Sequence, residues 1–237
     1  MVKCSDGTLY SGITNNLDNR FKKHSSGKGA RYTRSRLPLK LVYFEKLKDQ
    51  ITAMRREWQV KAYSRQKKET LITKKNVEQI ARAMIVKDGQ ILAAHRINAG
   101  NLFLPGGHIE NDESPEEAIR RELNEELGLD CKPGKFRNLI PHSYREKKTA
   151  HREVNYLYEA ELPGLAAGSN PESKEAHLEF FWVKNDLKEL KRNNLKPALL
   201  RKLVSGYKPA KKAAKARKNE KKRDQFTRSV YPAGRTG

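Results

Sequence analysis

Glu122, Glu125 and Glu126 stand at i, i+3 and i+4 in the run GHIENDESPEEAIRRELNEELGL, residues 107–129. On a helix that spacing turns three carboxylates toward one face. Two such charges about 5 Å apart repel by roughly 3 kcal/mol at an effective dielectric near 20, and each raises the pKa of the other. A hard divalent cation reverses the cost, because Mg²⁺ takes oxygen ligands and is usually shared between a few carboxylates and substrate phosphates. Arg121, four residues before Glu125, can help hold it, and Gly106-Gly107 let the backbone come close to a metal or to phosphates. The run carries eight acidic side chains in a chain of formal net charge +22. A solvated helix face would explain the spacing, though not the concentration.

The elements that must position these residues are legible. Ser114 suits an N-cap, Pro115 the first helical position, and Glu117 completes a capping box. Gly128 suits the C-terminal stop. Upstream, IARAMIVKDGQILAAHRI reads as two apolar strands around an Asp88-Gly89 turn, and NLFLPGGHI as a short strand entering the double-glycine bend. Further strands are expected near 136–146, 151–161 and 177–183, and helices near 186–193 and 196–205. In HLEFFWV, alternation puts Phe180 and Trp182 on one face, a core pattern.

Charge divides the chain into three. Residues 1–75 hold 19 Lys and Arg against 6 Asp and Glu; residues 76–206 hold 20 of each; residues 207–237 hold 11 against 2. A basic head and tail around a neutral middle favour nucleic acid as a partner. No run of about 18 apolar residues is present, so no membrane span is expected. Two cysteines, Cys4 and Cys131, exclude a disulfide framework and an all-cysteine metal site, and fit a reducing cytoplasm.

In the head, CSDGTLYSGIT reads as a hairpin turning at Asp6-Gly7, NLDNRFKKH as a helix start, and Leu39 to Phe44 as a strand. DQITAMRREWQVKAYS reads as a helix, since Ile51, Met54, Trp58 and Ala62 fall three or four apart. His24 follows Arg20 by four on the same helical face. The tail KPAKKAAKARKNEKKRDQ has no apolar stripe and is expected to be disordered.

Two family resemblances follow from these words. Gly107, Glu113, Arg121, Glu122, Leu123, Glu125, Glu126, Gly128 and Leu129 fill every specified position of the Nudix hydrolase box. Its seven fixed identities coincide by chance on the order of 10⁻⁸ times per starting position, which sets the solvated face aside. The resemblance spans about residues 78–206. It implies Mg²⁺-dependent (Mn²⁺ possible) hydrolysis of a nucleoside diphosphate linked to another group. Glu122, Glu125 and Glu126 become metal ligands, Arg121 and Glu113 orienters of the loop-helix-loop, and Glu125 or Glu153 the general base.

The head, residues 1–72, resembles the GIY-YIG nuclease superfamily through LYSGIT, LDNRFKKH, GKGARYTR and RREWQVK. That implies phosphodiester cleavage, with Tyr10 on the nucleophilic water, Arg20 on the developing charge, His24 beside it and Glu57 as metal ligand. Only Val2, Lys3 and Cys4 precede the hairpin turn, so the family's first strand is shortened here. The head is then either an active nuclease starting upstream or a degraded binding module, with KGARYTRSRLPLK and its Tyr32 offering nucleic-acid contacts.

The expected architecture is α+β in two domains. Residues 1–75 form a small GIY-YIG-like α/β domain, residues 76–206 a Nudix α/β/α sandwich with a mixed sheet, and residues 207–237 a basic tail. The alternatives are a structure-selective DNA endonuclease, or a nucleic-acid-binding protein with an accessory nucleotide-binding Nudix domain.

Overall fold

The computed structural model describes residues 1–74, 77–110, 113–146 and 149–209. Lys75, the expected domain boundary, lies outside them, as do Asp112 and the tail from residue 210.

The head opens with Val2–Lys3 (β1) and Leu9–Tyr10 (β2), paired antiparallel around Asp6-Gly7. The Asp6 carboxylate accepts both the N–H and the hydroxyl of Thr8, and Gly7 takes φ +78°, so the turn forms where the sequence places it. Helices Leu17–Ser25 (α1) and Arg31–Arg34 (α2) follow. The strand expected over 39–44 shrinks to Lys40–Leu41 (β3), because β1, its pairing partner, has only two residues. Gln50–Ala62 (α3) and Arg65–Lys74 (α4) complete the head. Helix α3 forms as its spacing predicts, but its apolar stripe is not its packing face. Ile51, Met54 and Trp58 are exposed, and Val60 is the buried residue.

The second half begins with Val77–Met84 (β4), Val86–Lys87 (β5) and Gln90–Arg96 (β6). The expected hairpin divides at Ile85: β5 and β6 pair antiparallel around Asp88-Gly89 and β6 pairs on its other edge with Leu178–Lys184 (β9), while β4 runs parallel to Thr149–Glu161 (β8). Strand β8 also pairs antiparallel with Lys132–Glu146 (β7), so the sheet β4-β8-β7 is mixed. Pro115–Leu127 (α5) has the capping box, Pro at its start and a left-handed Gly128 at its end. Leu187–Arg192 (α6) and Ala198–Val204 (α7) close the fold.

Alternation along β8 separates two cores. Val154, Tyr156 and Tyr158 pack with Ile119 and Leu123 of α5 and with Phe21, Leu39 and Leu41 of the head. Leu157 and Ile140 pack instead with Ile91, Leu190 and Leu200. Phe180 and Trp182 are buried as their alternation predicts. The head therefore shares a core with the second half, and Met1–Tyr207 forms one compact unit. Among the described residues no helix is long and apolar enough to cross a membrane.

Candidate active site

The double-glycine loop runs as an extra edge along β4. The N–H groups of Ala81 and Ala83 donate to the carbonyls of Gly107 and Pro105, each at 2.9 Å. Gly106 lies at φ +111°, and a Cβ there would sit 2.4 Å from the Ala81 carbonyl oxygen. A Cβ on Gly107 would sit 2.4 Å from the Glu122 carboxylate. Gly106 is thus demanded by close approach of backbone, while Gly107 abuts the flexible end of an acid of the box itself.

Arg121 is the hub of the acidic run. It donates to both oxygens of Glu113 at 2.8 and 3.3 Å, to Glu122 at 3.0 Å, to Glu125 at 3.1 Å and to the His108 carbonyl at 2.8 Å. Glu113 in turn accepts the Glu110 N–H at 2.7 Å. This ties the loop before α5 to the helix itself.

The three box carboxylates are not equivalent. Glu126 is buried and accepts the Gly106 N–H at 3.4 Å. Burial pushes its pKa up to about 7, against the pull of Arg82. Glu122 is also raised, by burial first. Glu125, 53% exposed, lies toward solvent on Arg121. Helical spacing alone predicts one converging face. Gly106 and Gly107 instead draw Glu122 and Glu126 inward while Arg121 keeps Glu125 outside. Among the described residues no three acidic, His or Cys side chains close on a common point.

A residue that sequence reading passed over completes the site. Arg82 donates to the carbonyls of Leu104 and Gly106 and to Asn155 Oδ1. Burial lowers its pKa, and Glu153, Glu126 and Glu122 oppose that fall. The signal was available: one arginine within the apolar run IARAMIV needs a buried anionic or carbonyl partner. Glu153 stands on β8 opposite His142 of β7 and Glu78 of β4, on the Arg82 side of the sheet. Its field reaches Arg82.

In the head, Tyr10, Gly12, Arg20 and His24 line one cavity of about 50 Å³. A Cβ on Gly12 would meet Arg20 Nη2 at 2.4 Å, which accounts for the glycine of LYSGIT. The Tyr10 and His24 rings lie 5.4 Å apart. His24 Nδ1 is 2.7 Å from Thr33 Oγ1, and Thr33 spends its hydroxyl proton on the Ala30 carbonyl. Thr33 must therefore accept from Nδ1–H, leaving Nε2 as the unprotonated nitrogen. Burial, then Arg20, lowers the pKa of His24. Glu57 does not line this cavity; it pairs with Lys61 at 3.0 Å on α3. Tyr32 is not free for stacking on both faces: it stacks on Tyr10, and Arg36 lies over its ring at 4.2 Å.

Comparison with known proteins matches this division. The NUDIX domain family model covers residues 77–203. The chain belongs to the NUDIX family. It is a Nudix hydrolase, acting on phosphoric anhydrides. The GIY-YIG catalytic domain model covers residues 1–70. The head is 46% identical to a UPF0213 protein of Clostridium perfringens over 33% of this chain and 85% of that protein. It is 47% identical to a UPF0213 protein of Staphylococcus haemolyticus over 30% of this chain and 88% of that protein. Among solved structures, the Nudix half is similar to the E. coli ORF135 protein, with 24% identity, 60% of this chain, 97% of that chain and TM-score 0.43. It is similar also to a MutT NUDIX hydrolase from Burkholderia pseudomallei, with 24% identity, 56% and 99% coverage and TM-score 0.43.

Proposed function

We propose that this Nudix hydrolase cleaves, with Mg²⁺, a nucleoside diphosphate linked to another group, and that its head faces nucleic acid. The observation that carries the first part is the pair Glu122 and Glu126, held beside Gly107 and Gly106 with raised pKa values. A buried carboxylate and a partly buried one, both against the double-glycine bend, fit a hard divalent cation. Glu122 and Glu126 would hold it, joined by Glu125, whose exposed i,i+4 pair with Arg121 contributes only about 0.3–0.5 kcal/mol. When bound, such an ion neutralises charge on the anhydride oxygens and acidifies water.

The chain's own groups do the remainder. Arg121 and Glu113 fix the loop against α5. Arg82 opposes the rise that burial imposes on Glu122 and Glu126. Glu125 or Glu153 accepts the proton of the attacking water as its oxygen bonds to phosphorus and the anhydride P–O bond breaks. Substrates from oxidised nucleoside triphosphates to ADP-ribose and sugar nucleotides, incubated with Mg²⁺ or Mn²⁺ and resolved by mass spectrometry, test the reading. A released monophosphate, lost in Glu126→Gln and reduced in either Glu125→Gln or Glu153→Gln, is the expected result. Full turnover by Glu126→Gln overturns it.

The second reading, an endonuclease, is favoured by one observation: Tyr10, Arg20 and a neutral His24 share a cavity. Nicked and branched DNA with Mg²⁺ or Mn²⁺ tests it, and cleavage must be lost in Arg20→Ala.

A further inference from the structure

Helix α3 displays an apolar stripe that nothing in the described fold covers. Ile51 is 65% exposed, Met54 53% and Trp58 74%. At about 100° per residue these three lie within a strip of roughly 60°. Three large apolar side chains left together in water on a helix otherwise well formed call for an occupant.

The flanks say which occupant. Arg55 precedes Trp58 by three residues and Lys61 follows it by three, so the two cations border the indole on either side. Lys68 reaches the Lys61 carbonyl at 3.0 Å and adds a third. The head as a whole carries 19 basic against 6 acidic side chains up to residue 75. A second copy would set like charge against like, with +22 on each chain. A polyanion with planar faces matches both the charge and the indole.

We propose that the outward face of α3 is a stacking platform for unpaired nucleic acid. A base lies on Trp58, and the phosphates on either side are taken by Arg55 and Lys61. This rests on the reading of the head as facing nucleic acid, and adds the place and the strand form. A base paired in a duplex hides its face, so an unpaired strand is preferred. Glu57, held by Lys61 at 3.0 Å, lies beside the platform, so a seated strand passes next to the acid that the GIY-YIG resemblance marks.

The chain's two tryptophans make the test direct. Trp182 is 9% exposed, with its indole N–H bonded to the Ser169 carbonyl at 3.0 Å, so solvent-accessible emission comes from Trp58. Full-length protein is titrated with oligothymidylate, oligouridylate, a duplex of equal length and inorganic polyphosphate, following tryptophan emission and the anisotropy of labelled oligonucleotide.

Both single strands should quench Trp58, the duplex less, and polyphosphate should bind without quenching. Trp58→Leu should abolish quenching and weaken single-strand binding about 5- to 150-fold, with an unchanged melting temperature. Trp58→Phe should recover part of the affinity. Binding without quenching, equal in Trp58→Leu, overturns the platform but leaves the head's affinity for nucleic acid standing. Absence of any oligonucleotide binding overturns both. A dimer in sedimentation that Trp58→Leu dissolves assigns the stripe to a second copy and overturns the proposal.

Discussion

The Tyr156 hydroxyl accepts the N–H of Leu41 at 2.9 Å, joining residues 115 apart in the chain. It donates onward to Gln79 Oε1 at 2.8 Å, and the Gln79 amide returns to the Leu41 carbonyl at 2.8 Å. A strand of the head is thereby hydrogen-bonded into the face of the Nudix sheet. Asp18 of α1 adds a second tie, accepting the Leu139 N–H at 2.7 Å and the Asn138 side chain at 3.1 Å, beside the irregular register of β7 near Phe136 and Asn138.

Removing the Tyr156 hydroxyl leaves the Leu41 N–H buried without its partner. Tyr156→Phe is expected to destabilise the chain by about 1–3 kcal/mol. Because the two halves share a core, urea unfolding of parent and variant should show one transition by fluorescence and circular dichroism alike. A head that melts separately contradicts the shared core.

Asp18→Ala should cost a similar amount, about 1–3 kcal/mol, because it strips the buried Leu139 N–H in the middle of β7 of its acceptor. Hydrogen exchange at the Leu139 amide reads this directly. Faster exchange there, with α5 still protected, is the expected pattern.

Glu126 links stability to pH. Its carboxyl rises from an ordinary 4.5 to about 7 in the folded chain. The folded state therefore binds more proton than the unfolded one between those values. Its favourable contribution is complete below about 4.5 and is lost as pH rises through about 7. In metal-free protein, Glu126→Gln should raise stability at pH 8 by an amount on the order of 3 kcal/mol and change little near pH 4. Equal effects at both pH values count against the burial of this carboxyl. Added Mg²⁺ should stabilise the parent at pH 8 and not the variant.

The two glycines separate chemistry from folding. Gly107→Ala places its methyl against a side-chain carboxylate, which can swing away, so the fold should survive while anhydride hydrolysis falls at least tenfold. Gly106→Ala meets backbone, the Ala81 carbonyl, at a φ of +111°, so it should lower the melting temperature as well. Thermal denaturation beside a turnover assay tells them apart.

Much of the site was written in local order. The caps of α5 and the Arg121 fork to Glu113 follow from contacts within about 10 residues, where spacing and side-chain type decide. The Asp6-Gly7 turn, and the division into a neutral Nudix half behind a basic head, were equally readable. What spacing could not say is that Glu122 and Glu126 turn inward while Glu125 turns outward, since that depends on a loop laid along β4. Nor could it show that Arg82 stands behind them, because its partners Asn155 and Glu153 arrive from a strand some seventy residues on.

The stripe of Ile51, Met54 and Trp58 is the sharpest case. Periodicity says that a helix has an apolar side, and the helix is there. Which side meets the core is a property of the neighbours. Here α3 buries Val60 and leaves that side to solvent. Sequence determined the local elements and the acids that could do chemistry. Tertiary packing decided which carboxylates are desolvated, and that the head and the Nudix half are one body, because burial and long-range hydrogen bonds exist only once distant segments meet.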